Sequence, residues 1–171
     1  AAFQIKCSKL ISESPPNTYS IVCLNIKNFK LINENFGTEQ GNKTIKHIMW
    51  CIINNINKDE LAARSDADNF FMCLKNVDMQ TIRSRLSTIV NSINSYNEDI
   101  YEPYYLTIQQ GVYIVDDPLL EITIIQDRAV TACRTRSEYQ DGDCVFYNTM
   151  FTEQLKYEHE LNDMFESSIK N

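Results

Sequence analysis

The apolar positions of this chain change rhythm several times, and each change marks an element. Phe3, Cys7, Leu10 and Ile11 recur at helical spacing and predict a helix over residues 3–12. Ser14-Pro15-Pro16-Asn17 ends it, because proline cannot continue a helix. Residues 19–25 are apolar almost without a break. That predicts a strand buried on both faces, seated in the sheet between a later strand at 104–115 and a hairpin. A short helix through Phe29 and Ile32 ends near Gly37, and a longer one begins near Glu39, with Ile45, Ile48, Met49, Ile52, Ile53 and Ile56 in helical register. The hairpin comes from strands at 60–64 and 69–74, joined by the tight turn Ser65-Asp66-Ala67-Asp68. Asp78 can cap a helix carried by Ile82, Leu86, Ile89, Val90 and Ile93. Asp116-Asp117-Pro118 turns the chain into a helix over 120–134, Asp141-Gly142-Asp143 turns it into a short strand at 144–147, and residues 149–169 read as a last helix. A hairpin inserted among alternating elements predicts an α+β fold with a central mixed, mostly antiparallel sheet flanked by helices.

Length and composition narrow the picture. A chain of 171 residues with 43% hydrophobic residues fits one domain with a sizeable core. The net charge of −7 and pI of about 4.8 argue against nucleic acid as a partner, since an acidic surface repels phosphate backbones. No apolar run approaches the roughly 20 residues that span a bilayer, so no membrane contact is expected of this domain. Ala1-Ala2-Phe3-Gln4 carries neither a start Met nor the regions of a secretory signal, which reads as an excised part of a longer protein whose other parts could hold a membrane anchor. The six cysteines form no CxxC pair, and Cys23, Cys51 and Cys73 lie in apolar segments. Reduced thiols in a cytoplasmic protein are expected. Asn42-Lys43-Thr44 matches a glycosylation sequon that chance readily supplies. His47 and His159 lack metal-ligand spacing, Ser65 has no nearby His, Trp50 and the isoleucines around it are expected in the core, and Asp59 and Glu60 are expected to be solvated.

One constellation carries a functional resemblance. The stretch from Val22 to Asn42 resembles the GGDEF (diguanylate cyclase) pattern in which a strand ends in D-I-D, followed by x-F-K-x-I-N-D-x-F-G-H-x-x-G-D. Phe29, Lys30, Ile32, Asn33, Phe36, Gly37 and Gly41 hold that pattern. The hairpin supplies Ala63-Arg64-Ser65-Asp66-Ala67-Asp68-Asn69-Phe70 against A-R-x-G-G-D-E-F, and Asp127-Arg128-Ala129 is similar to A-D-x-A. The resemblance implies a GGDEF fold over residues 1–148, with residues 149–171 as a connecting helix towards an EAL phosphodiesterase domain outside this chain. Joining two GTP molecules requires a 3′-oxygen to attack an α-phosphate, with Mg²⁺ on carboxylate oxygens neutralising the phosphates.

The positions that the resemblance assigns to chemistry depart from the family's plan. The metal set falls on Asn25, Ile26 and Asp68, so one carboxylate has become an amide. The second acid of D-I-D is Lys27. An ammonium facing a dication at about 4 Å and an effective dielectric near 20 would cost at most about 8 kcal/mol, most of it relieved by rotation to solvent. Asp66 and Ala67 replace the two turn glycines, and Asn69 replaces the following Glu. The nucleotide positions are better kept: Asn33 matches the guanine-contacting Asn, Lys30 a phosphate-contacting Lys, Asn42 replaces an Asp, and Arg134 stands for a helix Lys. Asn33 and Lys30 could equally serve only to cap and solvate their helix. The inhibitory R-x-x-D site corresponds to Asn57 through Glu60 and lacks its Arg. Three readings follow: a non-cyclising regulatory domain that binds GTP with weak or absent Mg²⁺ and controls an attached EAL domain; a residual diguanylate cyclase; or a structural spacer or homodimerisation module.

Overall fold

A computed structural model describes residues 2–66, 68–95, 106–135 and 144–148, with the backbone alone at Asp66. The order is α1 (Ala2–Ser12), β1 (Ser20–Ile26), α2 (Phe29–Phe36), α3 (Thr38–Ile53), β2 (Leu61–Asp66), β3 (Asn69–Leu74), α4 (Met79–Ser95), β4 (Ile108–Ile114), α5 (Ile122–Arg134) and β5 (Cys144–Phe146). The expected last helix and the 149–171 connector lie outside the described residues. The strands form one sheet in the order β2-β3-β1-β4-β5. Three of its pairings are antiparallel and β4–β5 is parallel. β1 is therefore central, flanked by β3 of the hairpin and by β4, as its unbroken apolar run predicts.

The two-residue period of the strands divides the core into two layers. Val22, Leu24, Ile26, Phe70, Met72, Leu74, Ile108 and Val112 face α2, α3 and α4. Ile21, Cys23, Phe71, Cys73, Tyr113 and Val115 face α1 and α5. α5 lies close against the sheet because β4 offers no side chain at Gly111. A Cβ there would sit 2.2 Å from the Cys133 amide nitrogen and 2.3 Å from the Ala129 carbonyl oxygen. Asp78 caps α4, its carboxylate accepting the Thr81 amide at 2.9 Å. No described helix is long and apolar enough to cross a membrane.

Several expectations are corrected. Trp50 is 64% exposed and Ile53 56% exposed, while Ile45, Ile48 and Ile52 are buried. α3 buries only the stripe from Gly41 through Thr44, Ile45, Ile48, Cys51 and Ile52. Trp50 falls on its outer face, stacked on His47 at 6.4 Å. Glu60 is not solvated: it is 4% exposed and bonded on both oxygens. That engagement places it just ahead of β2, which starts at Leu61. β4 begins at Ile108 because the Asn94 side chain takes both backbone groups of Leu106, at 2.9 and 3.2 Å. α5 begins at Ile122, after the Asp117 carboxylate has drawn in the Leu119 amide at 3.1 Å and Glu121 has taken an extended conformation.

Candidate functional site

The C-terminal end of β1 meets the hairpin turn edge to edge. Asn25 and Asn69 are direct partners across the β1–β3 ladder. The Asn25 amide donates to Asn69 Oδ1 at 2.7 Å and lies 3.5 Å from the Asp68 carbonyl. That carbonyl also accepts the Ile26 amide at 2.9 Å, which fixes the turn to the strand end. The side chains at the first acid of the strand end and at the position after Asp68 are thus both amides, and the first donates to the second. The sequence supplies both residues, but their pairing needs the register, which only the fold reveals. The hairpin register slips between Arg64 and Asp66, so the turn approaches β1 through an irregular step. The Asp66 side chain and all of Ala67 lie outside the described residues. Phe70 is fully buried and anchors the turn to the core.

These donors do not suit a hard dication. Mg²⁺ asks for near-octahedral oxygen ligands with carboxylate charge. Asp68 is half-buried and carries the described carboxylate of the set, Asn25 offers an uncharged amide oxygen while its nitrogen donates to Asn69, and Ile26 offers only its backbone. Among the described residues, no cluster of three or more His, Cys, Asp or Glu side chains is placed to hold a metal ion.

α2 leaves β1 through Asn28, whose φ of 58° is left-handed, a conformation asparagine tolerates better than most residues. Its C-terminus meets α3 at Gly37, where φ is +86°. The α2–α3 corner brings Asn33 over Gly41: a Cβ at Gly41 would lie 1.8 Å from Asn33 Oδ1. Glycine leaves that space to the Asn33 amide, which is half-buried, with the exposed Asn42 next along α3. Lys30 is exposed in the first turn of α2. Lys27 and Asn28 line a cavity of about 180 Å³ with Leu31, Asn35, Leu106 and Thr107. That cavity lies on the flank of α2 away from Asn33. Arg134 is exposed at the end of α5. It follows Cys133, whose thiol donates to the Gln109 carbonyl at 3.3 Å, and Gln109 is the cross-strand partner of Asn25. Asn25, Asp68, Asn69 and Arg134 therefore share one end of the sheet.

The R-x-x-D positions serve a different purpose. Glu60 takes Arg85 on both carboxylate oxygens, at 2.8 and 2.5 Å, and the amides of Asn57 and Lys75 at 2.7 and 2.8 Å. Arg85 also reaches the Asn55 carbonyl at 3.2 Å. Burial alone would raise the Glu60 carboxyl, but the Arg85 guanidinium and the two backbone amides outweigh it and hold it below its ordinary value. Asn57 is exposed and contributes its backbone amide. Sequence reasoning missed Arg85, which lies 25 residues away and carries no motif.

The family model described as "Diguanylate cyclase, GGDEF domain" matches residues 1–140. The chain is 23% identical over 158 residues to the cyclic di-GMP phosphodiesterase PdeR of Escherichia coli, covering 91% of this chain and 24% of that protein. It is 25% identical over 118 residues to the probable diguanylate cyclase DgcT of the same organism, covering 66% of this chain and 26% of that protein. It spans about a quarter of the length of these relatives. The structure of the Pseudomonas aeruginosa diguanylate cyclase SiaD, solved with its activator SiaC, superposes with a TM-score of 0.74 at 18% identity, over 85% of this chain and 56% of that one. With the family match running from the first helix past the end of α5, this chain belongs to the GGDEF domain family.

Proposed function

We propose that this chain is a GGDEF domain that no longer cyclises GTP and acts as a regulatory element in cyclic di-GMP signalling. The observation that carries the reading is the Asn25–Asn69 amide pair at 2.7 Å. Two carboxylates at these facing positions would repel one another and call for a cation between them, whereas two amides are content without one. The metal set at Asn25, Ile26 and Asp68 is then too weakly charged to bring Mg²⁺ to a triphosphate. The nucleotide corner has changed less. Asn33 over Gly41, with Asn42 and Lys30 nearby and Arg134 at the sheet end, leaves hydrogen-bonding groups and cations for GTP. The inhibitory site is lost in the same reading, since Glu60 is consumed by Arg85. Residues 149–171 would connect the domain to a phosphodiesterase domain of EAL type; the likeness to PdeR over 91% of this chain supports that organisation.

Calorimetric titration of GTP, first with Mg²⁺ and then with excess chelator, tests this reading. Equal affinities are expected. Binding that vanishes on chelation would overturn it, and absence of binding in both would favour a structural module instead. A second variant probes the corner itself. Gly41→Ala drives a methyl into the Asn33 amide, the movable end of a side chain, so the fold is expected to survive. GTP affinity should fall roughly fivefold, the loss of one neutral hydrogen bond of about 1 kcal/mol. Unchanged affinity would remove Asn33 from the binding site.

A further inference from the structure

Among the described residues, three of the exposed large apolar side chains gather at one end of the layer that α1 and α5 form: Leu119 is 84% exposed, Ile5 73% and Ile124 40%. The antiparallel pairing of β1 and β4 explains the place. α1 ends where β1 begins and α5 begins where β4 ends, so Ser12 and Ile122 meet at that end. With Ile5, Ser8 and Lys9 they line a groove of about 670 Å³. Helical spacing puts apolar groups on both flanks of α5. Ile122 stands one turn before Gln126, which accepts a hydrogen bond from Gln4 of α1 at 2.6 Å, so it lies on the flank facing α1. Ile124 stands one turn before Arg128, whose guanidinium lies 5.4 Å from the centre of the Tyr147 ring, so it lies on the flank facing β5. Leu119 precedes both in the turn that leads into α5. Apolar surface thus runs from the end of β5, around the first turn of α5, to α1.

The chain leaves β5 beside this surface. Tyr147 donates its amide to the Val112 carbonyl at 2.6 Å and sets its ring edge-on to Tyr113 at 5.5 Å, on the sheet face that α1 and α5 cover. Residues 149–171 follow, and they carry Phe151, Leu155, Leu161 and Phe165 with five acids against two lysines. α1 carries Lys6 and Lys9 and no acid. As a helix, that segment would extend about 34 Å, against about 10 Å for the width of α5. We propose that residues 149–171 fold back around the first turn of α5 and dock in the groove against α1. Their earlier apolar residues cover Ile124 and Leu119, their later ones cover Ile122 and Ile5, and their acids face Lys6 and Lys9. A second copy of the chain suits the groove less well, because a two-fold contact through α1 sets Lys6 and Lys9 against the same lysines of the other copy. The docking holds whether or not the domain cyclises GTP. Its consequence is that the first helix and the last segment share one surface, so a displacement of α1 would unseat the segment that leads away from the domain.

The test is hydrogen–deuterium exchange of the 171-residue chain, read by mass spectrometry at two protein concentrations, with sedimentation velocity alongside. Amides of residues 152–169 should exchange at least roughly tenfold more slowly than in a free peptide of the same sequence, equally at both concentrations. Ile5→Asp and Leu119→Asp each put a carboxylate where the docked segment would bury it. Both side chains stand largely outside the described core, so the fold is expected to survive, and unchanged protection of β1 and β3 reports that it has. In each variant the exchange of 152–169 should rise to within about twofold of the free peptide. Ile53→Asp, at an exposed position of α3 on the other side of the sheet, should leave it as in the parent. Exchange at the free-peptide rate in the parent, or protection that survives either Ile5→Asp or Leu119→Asp, would overturn the proposal. Protection that grows with concentration as a dimer forms would also overturn it and give the groove to a second copy.

Discussion

Arg85→Ala is expected to destabilise the domain by about 3 kcal/mol, lowering its melting temperature by roughly 10 °C. The Glu60 side chain is fully shielded from solvent and that of Arg85 is 20% exposed, so solvent screens the pair little. Truncating Arg85 leaves a buried carboxylate with two backbone amides and no counter-charge. The pair ties α4 to the segment entering β2, and the Arg85 bond to the Asn55 carbonyl extends the tie to the end of α3. The pH dependence follows in sign. The Glu60 pKa is depressed in the fold from an ordinary 4.5, so its contribution is present above that value and lost as pH falls through the folded one. Urea denaturation at pH 7 and pH 3 should give a larger stability difference for the parent chain than for Glu60→Gln. Equal differences, or an Arg85→Ala loss under 1 kcal/mol, would mean the pair is ornamental.

Gly111→Ala is expected to cost about 3 kcal/mol, at the upper end of what overpacking usually costs. Most added methyls in a core meet side chains that can move. This one meets the backbone of α5, with Cys133 nitrogen at 2.2 Å and Cα at 2.6 Å and Ala129 oxygen at 2.3 Å. A helix held by Ala129, Ala132 and Cys133, all buried, would have to lift as a unit from β1 and β4. The loss should appear in the urea midpoint. Because Arg134 rides on the same helix, any GTP affinity should weaken with it. A midpoint within experimental error of the parent would contradict the close helix–sheet contact.

Much of this architecture is legible in the sequence, for identifiable reasons. The unbroken run Ile21-Val22-Cys23-Leu24 announces a strand covered on both faces, and it is the centre of the sheet. The hairpin, the Asp78 cap and the α2–α3 corner at Gly37 each carry a local signal within a few residues. Periodicity puts Trp50 in the core because apolar residues crowd α3 on more than one face, and it does not say which face a partner covers. Glu60 looks solvated in the sequence because its partner Arg85 is remote, and a buried ion pair leaves no local mark. The candidate site divides in the same way. The residues at Asn25, Lys27, Asp66 and Asn69 can be read off against the family's motif, but the hydrogen bond that Asn25 donates to Asn69 requires the β1–β3 register. The Asn33–Gly41 contact likewise depends on how α2 and α3 cross.

The measurement that bears most directly on the proposed loss of cyclisation is product chromatography. The chain is incubated at high concentration with GTP and an excess of Mg²⁺, and in parallel with Mn²⁺, and the mixture is resolved for cyclic di-GMP and linear intermediates. With Asn25 and Asn69 paired amide to amide and Asp68 as the retained acid, GTP should be recovered unchanged in both. Cyclic di-GMP accumulating with time and protein concentration would contradict the account.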